Sequence, residues 1–179
     1  MKTIEINDDV VLRELQITDA PDMFTTIDSQ RDYLGEWLPF VPYTKEIADS
    51  QAFINSVVFA PEDQRELVFA IIADDEFAGT IGFKDTDKAN RKTEIGYWLA
   101  YQFQGRGIVT SAVQKLCEYA FTETDINRVQ IQCAVGNTKS SNIPKRLGFV
   151  LEGIIRDGEL QANGKFSDIE VYSKLRREF

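Results

Sequence analysis

Glu94-Ile95-Gly96-Tyr97-Trp98-Leu99 leads into Gln102-Phe103-Gln104-Gly105-Arg106-Gly107-Ile108, and the reading of this stretch decides the fold. An apolar strand ends and two glycines follow, two residues apart. Val109, Ala112, Val113, Leu116, Cys117 and Ala120 then recur at helical spacing. Glycine lets the backbone turn tightly and approach a ligand with no Cβ in the way. The first N–H groups of a helix have no partner within it and converge on one spot, where the helix dipole favours negative charge. The loop and the helix N-terminus therefore read as an anion site suited to a pyrophosphate. Arg106 either adds its charge there or points to solvent. A plain turn before a helix would use the same residue types. The spacing is not that of a Walker A loop, because the Lys-Ser/Thr is missing, nor of a dinucleotide fingerprint, because the third glycine is missing.

On the N-terminal side, Glu66 to Ala73 and Phe77 to Lys84 read as short strands joined at Asp74-Asp75-Glu76, and Thr93 to Ala100 as another. Val10 to Glu14 reads as the first strand. Thr18 has the character of an N-cap, followed by a helix in which Met23, Phe24 and Ile27 face a core. Tyr33 to Pro42 is aromatic and broken by proline, which reads as a loop, and a second helix is expected over Thr44 to Phe59. On the C-terminal side, Arg128 to Val135 reads as a strand and Ser140 to Leu147 as a short helix with Pro144 inside it. Phe149 to Arg156 and Phe166 to Leu175 read as two closing strands. Helices first, then a meander, then alternation: the pattern predicts one mixed α+β domain, residues 1–179, around a central sheet.

The 179 residues contain no histidine, which removes Ser-His-Asp and Cys-His machinery and His-ligated zinc. Proton transfer must fall to carboxylates, hydroxyls, Tyr, Lys or water. The formal net charge is −9. Such a surface repels phosphate backbones and favours amines, polyamines and basic protein tails, so neither nucleic acid nor membrane is an expected partner. Met1 to Asp9 carries acidic residues with no apolar run behind it, and no stretch reaches the ~20 apolar residues that span a bilayer. The expected compartment is the cytoplasm. Cys117 and Cys133 lie among apolar neighbours and read as buried thiols.

Gln102-Phe103-Gln104-Gly105-Arg106-Gly107 resembles the Gln/Arg-x-x-Gly-x-Gly/Ala acetyl-CoA signature of the GNAT superfamily of N-acetyltransferases. Asn137-Thr138-Lys139-Ser140, Lys145-Arg146-Leu147-Gly148-Phe149 and Trp37-Leu38-Pro39-Phe40 resemble motifs of its RimJ/RimL-like branch, in the same order along the chain. Pro144 departs from that pattern and leaves the start of its helix open. The resemblance implies a mostly antiparallel sheet of about seven strands with a splayed central pair and about four helices. It implies acetyl-CoA as co-substrate, without a metal. Leu99 would bond the pantetheine arm, the backbone of Gln104, Gly105, Arg106, Gly107 and Ile108 would cradle the pyrophosphate, and Asn137 would also face the cofactor. Ser140 would be the acid at the leaving thiolate and Glu159 the base, directly or through water. Burial of Glu159 against Trp37 or Phe40 would raise its pKa toward a useful range. Helix capping is the competing role for Ser140 and Asn137. Trp37 would stand on the acceptor side. The branch implies a protein N-terminus, in the first place that of a ribosomal protein, as acceptor, and a homodimer. Small-molecule amine acetylation and a non-catalytic acyl-CoA-binding module are the alternatives.

Overall fold

Asp74 and Asp75 both hold positive φ, 53° and 64°. Two such residues in succession make a type I′ turn, whose twist matches that of the strands it joins. The expected three-residue turn thus tightens to two, and β3 (Val68–Ala73) and β4 (Glu76–Asp87) leave it as a hairpin. The structure is a computed structural model that describes residues 2–179; of the N-terminal segment read above, Met1 lies outside them. The sheet has eight strands in the order β1-β2-β3-β4-β5-β6-β8-β7. The others are β1 (Thr3–Asn7), β2 (Val10–Glu14), β5 (Lys92–Leu99), β6 (Arg128–Ala134), β7 (Val150–Leu160) and β8 (Phe166–Leu175). The five α-helices are α1 (Ala20–Asp28), α2 (Arg31–Gly35), α3 (Ile47–Val58), α4 (Ile108–Glu123) and α5 (Thr138–Arg146).

β1 and α2 account for the difference from the expected counts of strands and helices. β1 offers only Ile4 and Ile6 as alternating apolar residues at the sheet edge, too short a run to register as a strand. α2 lies partly in the segment expected as loop, and one turn is too short for helical periodicity to show. Thr18 is not the cap of α1. It lies in a 3-10 turn, Ile17–Asp19, and Asp19 is the N-cap residue; the Asp19 carboxylate accepts from the Gln16 N–H at 2.8 Å and from Arg13 at 2.7 Å.

Strand residues alternate between two cores. On β5, Ile95 packs into the core under α4 with Val113 and Leu116, while Trp98 packs into the core under α1 and α3 with Ile27 and Ile54. Every strand pairing is antiparallel except β5 with β6, which α4 joins as a crossover. That parallel pairing covers only Lys92↔Arg128, Thr93↔Val129 and Glu94↔Gln130. Beyond it the two strands diverge, and Ile95–Leu99 faces Ile131–Ala134 across an open gap. The splayed central pair is therefore present, and so is the mixed α+β fold.

An ion pair steadies the far side of the sheet. Arg128 on β6 reaches across β8 to Glu152 on β7 at 2.5 Å, and Ser173 on β8 donates to the same carboxylate at 2.8 Å. The Arg128 guanidinium, with that hydroxyl, pulls the Glu152 pKa down to about 2. The folded value lies below the unfolded one, so the pair stabilises above pH ~4.5 and is lost as pH falls toward 2. Glu152 is 43% exposed, which holds the contribution to ~1 kcal/mol or less. Glu152→Gln is expected to lower the melting temperature slightly at pH 6 and to show a smaller gap from the parent at pH 3. A gap that does not narrow would remove the pair from the acid response.

Candidate active site

A groove of about 930 Å³ opens where β5 and β6 part. Its walls are the strand end at Tyr97–Leu99, the start of α4 and the start of α5, and α2 leads to its mouth at Trp37. In a strand, successive residues turn their N–H and C=O to opposite edges. The Ala100 N–H bonds to Ala78 on the β4 side at 2.7 Å, so Tyr97 and Leu99 turn their backbone groups into the gap. Leu99 thus turns its backbone N–H and C=O to the groove. Among the described residues, its carbonyl meets only the Tyr33 hydroxyl, at 3.4 Å.

The glycine loop follows. Gly105 and Gly107 have φ of 74° and 75°, the left-handed region that side chains disfavour, and Gly107 is the N-cap of α4. Among the described residues, the N–H groups of Gly105 to Thr110 find no protein acceptor. The Gln104 N–H, read above with those of the loop, is taken by the Tyr101 carbonyl at 3.1 Å. Gln104 still lines the groove through its side chain, which accepts from Lys139 at 3.0 Å and donates to the Tyr33 hydroxyl. Arg106 takes the solvent-side alternative: it is exposed and does not line the groove. Its guanidinium forms a bidentate pair with Asp74 of the β3–β4 turn, at 2.5 and 2.9 Å, and so clamps the loop from behind. The cations that do line the groove are Lys139 and Arg146, the latter 3.2 Å from Thr110 Oγ1. Both lie within motifs quoted above; local positive charge in so acidic a chain is the signal for them.

Ser140 and Asn137 divide two roles. The Asn137 side chain caps α5, accepting the Ser140 N–H at 3.2 Å, while the Ser140 hydroxyl caps nothing. It lies 3.2 Å from the Tyr97 hydroxyl and 3.3 Å from Cys133 Sγ. Asn137→Ala is expected to destabilise the fold by ~1 kcal/mol, lowering the melting temperature by ~2–4 °C. No shift in a thermal melt would rule out the cap. Cys117 and Cys133 are both buried, which pushes their thiols up to about 12 and about 11.

Trp37 lines the groove, with its ring edge 3.6 Å from where a Cβ on Gly136 would sit, at the end of β6. Glu159 is not among the residues that line the groove. It is exposed on β7, and its carboxylate accepts from Gln161 at 2.9 Å. The expected burial against Trp37 or Phe40 is not found. The acidic residue that does line the groove is Glu36, beside Trp37.

The family of acetyltransferase (GNAT) domains matches residues 9–150. The chain is a GNAT acetyltransferase. YdaF of Bacillus subtilis (strain 168), named provisionally as a ribosomal N-acetyltransferase, is 37% identical over 100% of this chain and 98% of its own length. The ribosomal-protein-serine acetyltransferase of Escherichia coli (strain K12) is 26% identical over 97% of both. Among solved structures, the Microcin C7 self immunity acetyltransferase MccE, in complex with acetyl-CoA and AMP, is 32% identical with a TM-score of 0.90, covering 96% of this chain and 95% of that one. The GNAT enzyme therefore uses acetyl-CoA as acyl donor, and the non-catalytic module is set aside. The groove suits that donor: unpartnered amides and two cations offer an anion site in a chain of net charge −9. Among the described residues no helix is long and apolar enough to cross a membrane.

Proposed function

We propose that this GNAT enzyme acetylates the N-terminal α-amine of a protein, in the first place a ribosomal protein, in the cytoplasm. The observation that carries this reading is the end-to-end likeness to the ribosomal-protein-serine acetyltransferase. Chemistry agrees. A peptide α-amine has a pKa near 8 and a lysine side chain near 10.4. Freeing the first of its proton at neutral pH costs about 3 kcal/mol less, which suits a site without histidine.

In this reading the N–H groups of Gly105, Gly107 and Ile108 hold the pyrophosphate, with Lys139 and Arg146 adding charge. Leu99 binds the pantetheine arm through its backbone, and a main-chain N–H at the same strand end meets the developing oxyanion. Asn137 caps α5 with its oxygen and offers its Nδ2 to the cofactor. The donor supplies an activated thioester, so no covalent enzyme intermediate is needed. Ser140 donates to the departing thiolate. The amine's proton leaves through water toward Glu159, with Glu36 as the carboxylate to compare against it.

A second reading, a small-molecule amine as acceptor, is favoured by the likeness to MccE, crystallised with AMP beside acetyl-CoA. A thiol-release assay with acetyl-CoA separates the two. One panel holds peptides of varied N-terminal residue; the other holds polyamines and aminoglycosides. Turnover on peptides is expected. Turnover confined to the small amines would overturn the leading reading.

A further inference from the structure

α5 contains a defect that the roles above do not use. In an α-helix the carbonyl of one residue receives the N–H four residues on. For Ser140 that residue is Pro144, which has no N–H to give. Pro144 is buried and sits well past the first turn of the helix. A partly buried carbonyl left over in this way needs another donor. The donor comes from the sheet: the Tyr97 hydroxyl lies 3.2 Å from the Ser140 carbonyl oxygen. The same hydroxyl lies 3.2 Å from Ser140 Oγ, and Cys133 Sγ approaches that Oγ to 3.3 Å. Groups from β5, β6 and α5 thus converge on one serine hydroxyl, and Tyr97 and Ser140 both line the groove.

We propose that Pro144 and Tyr97 form a positioning device for Ser140. The proline vacates the Ser140 carbonyl, the carbonyl anchors the Tyr97 hydroxyl, and that hydroxyl fixes the rotamer that holds Ser140 Oγ at the groove. The proposal rests on the reading of Ser140 as donor to the leaving sulfur.

The protons available decide how the device turns over. Tyr97 has one proton and two acceptors in reach, the carbonyl and Oγ of Ser140. With Tyr97 bonded to the carbonyl, the Ser140 proton rests on the Tyr97 oxygen or on Cys133 Sγ. When the thioester C–S bond breaks, the sulfur leaves with the electron pair and becomes the strongest acceptor nearby. Ser140 then turns its proton to that sulfur, and Tyr97 donates into Oγ in its place. No proton leaves Tyr97, because burial pushes its phenol far above the ordinary range. Solvent supplies the proton that finally neutralises the thiolate.

The test compares Tyr97→Phe, Ser140→Ala, the double variant and Pro144→Ala, with acetyl-CoA and a peptide acceptor from the panel above. Tyr97→Phe is expected to lower kcat by about fivefold or more while KM for acetyl-CoA stays within about twofold. The double variant is expected to be no slower than Ser140→Ala, because Tyr97 acts through Ser140. Pro144→Ala restores an N–H that competes for the carbonyl, so kcat is expected to fall while the melting temperature rises. Wild-type kcat in Tyr97→Phe, losses that multiply in the double variant, or full kcat in Pro144→Ala would each overturn the proposal. Full kcat in Ser140→Ala would instead overturn the role given to Ser140 itself.

Discussion

Gly105→Val is expected to weaken acetyl-CoA binding by about tenfold or more, measured by calorimetry on the folded variant. The reason lies in the backbone. Gly105 holds φ at 74°, and a Cβ placed there meets nothing within 4 Å. Other protein atoms are therefore not the obstacle. A side chain in the left-handed region costs about 1–2 kcal/mol, and more when it is β-branched. The loop relieves that strain by changing φ, which swings the N–H groups that follow out of alignment at the start of α4. Gly105→Asn provides the control. Asparagine tolerates the left-handed region, so it is expected to retain more affinity than valine. Equal affinity in valine and wild type would mean that the cofactor does not depend on these amides.

Ser140→Ala is expected to lower kcat by about 10–100-fold, with little change in acetyl-CoA affinity. A hydrogen bond to a charged partner contributes about 1.5–3 kcal/mol, and the sulfur becomes charged only as it leaves. The loss therefore falls on turnover. Because Asn137 rather than Ser140 caps α5, the melting temperature should change less than in Asn137→Ala. Steady-state kinetics beside a thermal melt check both halves. A melt that falls as far as that of Asn137→Ala, with kcat intact, would return Ser140 to a structural role.

Much of this architecture is legible in the residues alone. The strand, the paired glycines and the amphipathic helix that follows carry the groove, because their signals are local: a period of two, two residues without Cβ, a period near 3.6. β8 matches its expected bounds to the residue, since Phe166–Leu175 is bounded by turn-forming neighbours. Positions fixed by distant partners are harder to read. Nothing near Arg106 announces that its partner is Asp74, 32 residues upstream in another turn. Glu159 sits in a segment whose layout matches the family's, yet sequence does not say that all of β7 is exposed. Tyr97 belongs to a legible strand, but its hydroxyl has no legible role, because its partner appears only when α5 packs across the gap. Pro144 stands out as a departure; its consequence depends on which carbonyl it strands and what lies beside that carbonyl.

β7 has a consequence for behaviour at high concentration. It is the outermost strand, and Val150, Leu151, Ile154 and Ile155 are each about half exposed along it. A long apolar border with unsatisfied backbone groups is a template for fibrillar stacking. Two irregularities blunt it. The register shifts between Leu151 and Gly153 and again between Ile155 and Glu159, so the border is neither flat nor evenly spaced. Glu152, Arg156 and Asp157 interrupt or border the apolar run with charge. Colloidal solubility thus depends on residues that do not line the groove, and substitutions that smooth this border or neutralise Glu152 or Arg156 would promote aggregation.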